Sequence, residues 1–250
     1  MLVKLDKENV MDVFGKVLEK QFNHSDPIYH FIERDDGLIE EHSTKMYFSE
    51  RKDWPKPEQK LLAETQPPIL DIGCGAGRHT LYLQQKGMET TGIDMSKGAI
   101  SVCKKRGCSK VFQISIFDIQ NHKELLTEKY RTFLLLGNNF GIGGTPEKTR
   151  KLLKMLHKIS SSDSKIIASY RDAEATSKPY NLSYHHRNKE LFNPIGQVLL
   201  RIRYLNYISP WFYLYFPTEA EFMELITQTN WKLTKDLTDG SLHYVVLEKV

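Results

Sequence analysis

Val10, Phe14, Val17, Leu18 and Gln21 or Phe22 recur at helical spacing, so the first two dozen residues predict an amphipathic helix. Residues 24–59 are polar and turn-rich, punctuated by Pro27, Gly37, Pro55 and Pro57, and predict an arm or cap outside any main sheet. From Ile69 the rhythm changes. The runs ILDIG, ETTGIDM, KVFQISIFDI, RTFLLLGN and KIIASYR are short and apolar, and helix-length amphipathic segments separate them. Near-continuous apolar strands divided by helices predict a parallel sheet covered on both faces.

After Arg171 the alternation stops for about 45 residues. GQVLLRIRYLNYISPWFYLYF predicts two antiparallel strands around a turn at Ser209-Pro210. Thr218 and Glu221 then form a capping-box pattern that opens a helix. A closing hairpin follows, with its turn at Asp239-Gly240. The expected organisation is an α/β, doubly wound, mostly parallel sheet over residues 66–250. An N-terminal helical arm (1–65) and an insertion at about 172–217, holding the strand pair, can both cover the sheet's carboxyl edge.

Composition narrows this only slightly. In 250 residues, 40% are hydrophobic and 26% charged, the ordinary balance of a globular protein, and the net charge of +4 permits an anionic partner without demanding nucleic acid, which is not expected. Lys148, Arg150, Lys151, Lys154 and Lys158 interleave with Leu152, Leu153 and Leu156, which predicts a solvated helix face rather than an RNA track. The cysteines Cys74, Cys103 and Cys108 match no disulfide framework or zinc spacing, so no metal is expected. The N-terminal residues carry scattered charges rather than an apolar signal core, and Tyr207–Phe216 is too short to span a bilayer. The expectation is a cytoplasmic, soluble protein without a membrane partner.

The chemistry concentrates in PPILDIGCGAGRHTLYL, Pro67 to Leu83. Ligands of open α/β sheets bind beyond the carboxyl ends of the strands, where Gly73, Gly75 and Gly77 lie. Glycines there let backbone N–H groups approach a ligand closely. The dinucleotide fingerprint needs a glycine where this chain has Arg78, and Asp71 would repel a pyrophosphate. A ligand carrying an ammonium and a sulfonium would instead be welcome. Asp94, some 20 residues beyond the loop, is the expected ribose ligand.

LDIGCGAGRHTLYLQQKG followed by TTGIDMSKGAI resembles the first two motifs of class I S-adenosylmethionine-dependent methyltransferases. The resemblance covers roughly Ile69 to Val250 and implies a Rossmann-like sheet of seven strands with S-adenosyl-L-methionine as cofactor. It implies Asp71 near the methionine ammonium and Gly73 and Gly75 against the methionine and ribose. It places Asp94 on the ribose hydroxyls, with Met95 beside it, and Asp118 on the adenine amino group, with the Ile119 backbone nearby. Gly77, Arg78 and Gly137 complete the candidate cofactor set. Asp118 also suits a turn cap, Arg78 a helix-start surface position, and Cys74 a small loop filler.

The acceptor must be inferred from the surroundings, because the cofactor supplies the reactivity and the protein the alignment. The signature of methyltransferases acting on exocyclic amino groups of nucleobases is absent from LLLGNNFGIGG. Gly137-Asn138 is similar to a turn of glycine-type N-methyltransferases, with Asn139 in place of a serine, and favours a small acceptor. Asn138 and Asn139 could orient its amine or hydroxyl, or simply make a turn. Arg201 and Arg203 suit a carboxylate or phosphate, or else pair with acids on an exposed face. Trp211 and Tyr213 could wall a pocket or cage an ammonium, or serve as packing. YHH, with His185 as the candidate, could hold a general base for an oxygen acceptor, or lie on a surface loop. Tyr47 and Trp54 could close over the cofactor or anchor the arm. The leading reading is methyl transfer to nitrogen or oxygen of a small or medium-sized acceptor. Its rivals are an RNA or protein methyltransferase, a non-catalytic S-adenosylmethionine-binding module and a dehydrogenase.

Overall fold

The computed structural model describes residues 12–127 and 129–250. Val10, the first residue of the predicted N-terminal helix, lies outside them. The helix itself is α1 (Val13–Phe22), capped by Asp12, whose side chain accepts from the Gly15 N–H at 3.0 Å. Its apolar stripe buries Val13, Val17 and Leu18.

The polar segment after it is not only an arm. Tyr29–Arg34 (β1) and Ile39–Ser43 (β2) form an antiparallel hairpin that the hydrophobic pattern did not announce. The reason lies in what faces inward: His30 and Arg34 are both buried, so polar residues hold positions that apolar ones usually mark. A short helix, α2 (Lys56–Leu62), closes this part of the chain.

The α/β alternation then runs as expected. It comprises β3 (Ile69–Ile72), α3 (Arg78–Gln85), β4 (Thr90–Asp94), α4 (Lys97–Lys105), β5 (Val111–Gln113), β6 (Tyr130–Leu135), α5 (Pro146–Ile159) and β7 (Ser160–Arg171). One boundary differs. The third strand stops at Gln113, and Ile116–Asn121 form a 3-10 helix that takes Asp118 off the strand end. In α5 the lysines at 148, 151, 154 and 158 are exposed while Leu152, Leu153 and Leu156 are fully buried. Each such leucine contributes roughly 1.5–3 kcal/mol.

The insertion holds α6 (Pro179–Glu190), β8 (Gln197–Tyr204), β9 (Tyr207–Ile208) and β10 (Phe212–Tyr215). The YHH segment, expected to be a surface loop, is helical. Pro179 opens α6, and Tyr184 and Asn188 bury one side of it, too few apolar positions to register as a periodic pattern. The chain ends with α7 (Glu219–Thr227), β11 (Trp231–Asp239) and β12 (Leu242–Lys249), α7 carrying the predicted Thr218/Glu221 capping box.

Two sheets result. The seven-stranded sheet has the order β11-β12-β7-β6-β3-β4-β5, parallel from β7 to β5, with β12 and β11 antiparallel. Strand order reverses between β3 and β6, which puts the ligand crevice beyond their carboxyl ends. The second sheet has five antiparallel strands, order β10-β8-β1-β2 with β9 on β8. The strand pair of the insertion is therefore completed by the hairpin from the N-terminal segment. Helix α1 ties this layer to the first: Asp12 also accepts from Gly98 N–H at the start of α4, at 2.7 Å.

Candidate functional site

A cavity of about 1000 Å³ lies between the glycine loop after β3 and the second sheet. Gly75 sits at its edge with φ +56, a left-handed conformation, and a Cβ there would meet nothing within 4 Å, so the loop is open on that side. Its N–H donates to Asp94 Oδ2 at 2.9 Å, while Ser96 N–H donates to Asp94 Oδ1 at 2.8 Å. These bonds aim the second strand's terminal carboxylate at the loop before any ligand arrives. Asp71 is 2% exposed yet lines the cavity, and Thr80 Oγ1 donates to its Oδ2 at 2.7 Å.

Burial pushes both carboxyls above their ordinary range. For Asp71 the charges of His79 and Arg78 and the Thr80 bond offset this only in part. For Asp94 the two N–H bonds do the same. Two desolvated carboxylates favour a ligand bearing positive charge and hydroxyl donors over a pyrophosphate.

Gly77 has a different role. It lines no part of the cavity, and a Cβ on it would strike the sulfurs of Cys103 and Cys108 behind the loop. Arg78 lines the cavity, but its guanidinium is engaged by the N-terminal segment. It pairs with Glu58 at 3.0 Å and lies over the Trp54 ring at 5.3 Å. His79 Nε2 shares the same Glu58 carboxylate at 3.0 Å.

Ile114, Ser115, Ile116 and Phe117 also line the cavity. Asp118 is exposed and Ile119 is packed in the core, and neither lines the cavity, because the 3-10 helix starting at Ile116 turns them away. Phe117 and Ser115 line the cavity instead, with no signal in the sequence beyond adjacency. Met95 lines the cavity and is 68% exposed.

At the end of β6, Gly137, Asn138 and Asn139 all line the cavity. Asn139 Nδ2 donates to the backbone oxygens of Ile72 and Gly73, so its amide braces the glycine loop instead of pointing at an acceptor. Asn138 adopts φ 67, its N–H donates to Ser169 Oγ at 3.1 Å, and its Oδ1 is buried without a partner among the described residues. His185 lines the cavity from α6, half-buried, and its pKa is lowered by burial and then by Arg34 and Lys189. Tyr47 lines it as well, whereas Trp54 packs in the core.

Arg201, Arg203, Trp211 and Tyr213 are not brought to the cavity. In β8 the even positions Val198 and Leu200 line it, so Arg201 and Arg203 project from the opposite face. There both guanidiniums pair with Glu33 of β1, at 2.7 Å and 3.1 Å, and Arg201 stacks over Trp211 at 4.4 Å. Tyr213, opposite Leu199, shares this outer face and is 48% exposed. The residues that do line the second half, among them Ile32, Arg34, His42 and Tyr184, were not expected from the sequence. Among the described residues no cluster suited to a metal ion occurs, and no helix is long and apolar enough to cross a membrane.

Residues 69–161 match the model of a methyltransferase domain. Among solved structures, an S-adenosylmethionine-dependent methyltransferase from Bacteroides fragilis, in complex with S-adenosyl-L-homocysteine, is similar at 22% identity. The match covers 96% of each chain with a TM-score of 0.79. The CcbJ methyltransferase from Streptomyces caelestis matches at 11% identity over 80% of this chain and 94% of its own, with a TM-score of 0.60. DesVI from Streptomyces venezuelae matches at 14% identity over 83% and 93%, with a TM-score of 0.55. No relative is found among curated protein sequences. Residues 69–161 are thus similar to a methyltransferase domain, and the chain around them has the fold of S-adenosylmethionine-dependent methyltransferases.

Proposed function

We propose that the protein transfers the methyl group of S-adenosyl-L-methionine to a nitrogen or oxygen of a small or medium-sized acceptor held between its two sheets. One observation carries this. A single cavity joins the glycine loop and Asp94 to the inner face of the second sheet, and its volume of about 1000 Å³ is ample for two ligands at once. The similar Bacteroides fragilis structure holds the demethylated product of that cofactor.

The residues present suit the group. Asp71 is placed to compensate an ammonium, and its own burial is relieved by doing so. Asp94, held by Gly75 and Ser96, accepts from ribose hydroxyls, and the Ile114–Phe117 segment walls the base. When bound, the cofactor supplies an electrophilic methyl for in-line displacement. The chain's own work is alignment and exclusion of water. Gly137 and Asn138 line the cavity where the acceptor's reacting end would lie, and the second sheet closes the acceptor's side.

Calorimetry with S-adenosylmethionine, S-adenosylhomocysteine and NAD tests the cofactor half. Micromolar binding of the first two, weakened at least tenfold in Asp94→Ala and with NAD silent, is expected. Binding of NAD alone would overturn the reading.

A further inference from the structure

The acceptor half of the cavity has a distinct chemistry. Ile32 of β1, Val198 and Leu200 of β8, Leu214 of β10 and Phe216 just beyond it all line the cavity, and together with Tyr184 of α6 they form one apolar cluster. Val198 and Leu200 are 9% and 8% exposed, but Ile32, Leu214 and Phe216 are only partly buried. Their remaining apolar surface is turned to the cavity instead of into packing.

The buried charge near this wall is already committed. Arg34 is buried, and it donates through Nε and Nη2 to Asp36 at 2.8 and 2.7 Å, through Nη1 to Asn181 at 2.9 Å and through Nη2 to the Tyr180 carbonyl at 2.9 Å. Four of its five donors are thereby used. Glu58 is held by Arg78 and His79. Asp172 Oδ1 accepts from the Glu174 N–H, and Glu40, Glu41, Arg171 and Lys178 line the cavity from exposed, solvated positions. A charged group lying on the wall would be desolvated without a partner, whereas an apolar one would complete its burial.

Resting on the methyl-transfer reading, we infer that the acceptor has an uncharged, apolar body, that Ile32, Val198, Leu200, Leu214 and Phe216 select it, and that its polarity is confined to the reacting end near Asn138. The sheet's outer face, with Arg201 and Arg203 bound to Glu33, takes no part.

The test uses Nile red, a neutral apolar dye, titrated into the full chain saturated with S-adenosylhomocysteine. Leu214 is partly exposed on an edge strand, so Leu214→Glu places a charge in the wall with little disturbance of packing. Saturable micromolar dye binding is expected, at least tenfold weaker in Leu214→Glu, with S-adenosylhomocysteine affinity unchanged. Displacement by 1-octanol at a tenfold or greater lower concentration than by 8-hydroxyoctanoate is expected too. If Leu214→Glu does not fold, Phe216→Ala serves, with dye affinity reduced threefold or more. No saturable dye binding to the product complex, equal affinity in the variant, or equal displacement by the carboxylate would each overturn the inference. Failure of S-adenosylhomocysteine itself to bind the wild type is a separate result and strikes the methyl-transfer reading.

Discussion

The side-chain amide of Asn139 donates to the carbonyl of Ile72, at 2.9 Å, across 67 positions of sequence. The same nitrogen reaches the Gly73 carbonyl at 3.2 Å, so the end of the fourth parallel strand braces the glycine loop that follows the first. Removing this amide in Asn139→Ala leaves two loop carbonyls without their partner. We expect about 1 kcal/mol of lost stability and roughly tenfold weaker S-adenosylhomocysteine binding, read by thermal unfolding and calorimetry. Unchanged affinity would show that the loop holds its shape without Asn139.

Glu58 anchors the N-terminal segment to the helix that follows the loop. Burial alone would raise its pKa, but the His79 hydrogen bond and the charges of His79 and Arg78 outweigh it and hold the carboxyl below its usual 4.5. A carboxyl depressed in the folded state contributes stability at neutral pH that is lost as pH falls below about 4.5. Glu58→Ala removes the partner of a partly buried guanidinium and of the buried His79 and should cost about 2 kcal/mol at pH 7. Urea unfolding at pH 7 and pH 4 checks both statements, because the gap between variant and wild type must narrow in acid.

His30 works in the opposite direction. Burial, reinforced by the neighbouring His42, lowers its pKa to about 4, and its Nδ1 lies 2.9 Å from Thr44 Oγ1. The unfolded chain takes up this proton near pH 6.5 and the folded chain does not, so stability is complete above 6.5 and declines from there toward pH 4. The full loss is about 3 kcal/mol. In His30→Gln that slope should flatten, and a wild-type slope retained in the variant would assign the effect elsewhere.

Gly77 combines a positive φ of 80° with close approach to two cysteine sulfurs. Gly77→Ala should therefore lose 2 kcal/mol or more, through strain and displacement of Cys103 and Cys108. A melting temperature equal to wild type would mean that the helix after the loop shifts freely.

Arg201→Ala is expected to leave cofactor binding and turnover at wild-type values, since its guanidinium is spent on Glu33 outside the cavity. A tenfold loss of affinity for S-adenosylhomocysteine would contradict that placement.

The parallel sheet, its glycine loop and the pair Asp71 and Asp94 were legible in the chain because each is written within a few dozen consecutive residues. A buried parallel strand must be apolar throughout, and a loop that approaches a ligand must be glycine-rich, wherever the rest of the chain lies. The cavity wall on the second sheet follows another rule. It exists because β1 pairs with β8, bringing Glu33 to Arg201 across 168 positions, and that register alone decides that Val198 and Leu200 face inward while Arg201 and Arg203 face out. A shift of one residue would exchange the two sets. The inward polar residues His30 and Arg34 hid the hairpin, the weak stripe of α6 hid the helix that carries His185, and one 3-10 turn moved Asp118 off the site. Local pattern thus determined the glycine loop and its carboxylates, and long-range strand pairing decided which side chains of the second sheet line the cavity.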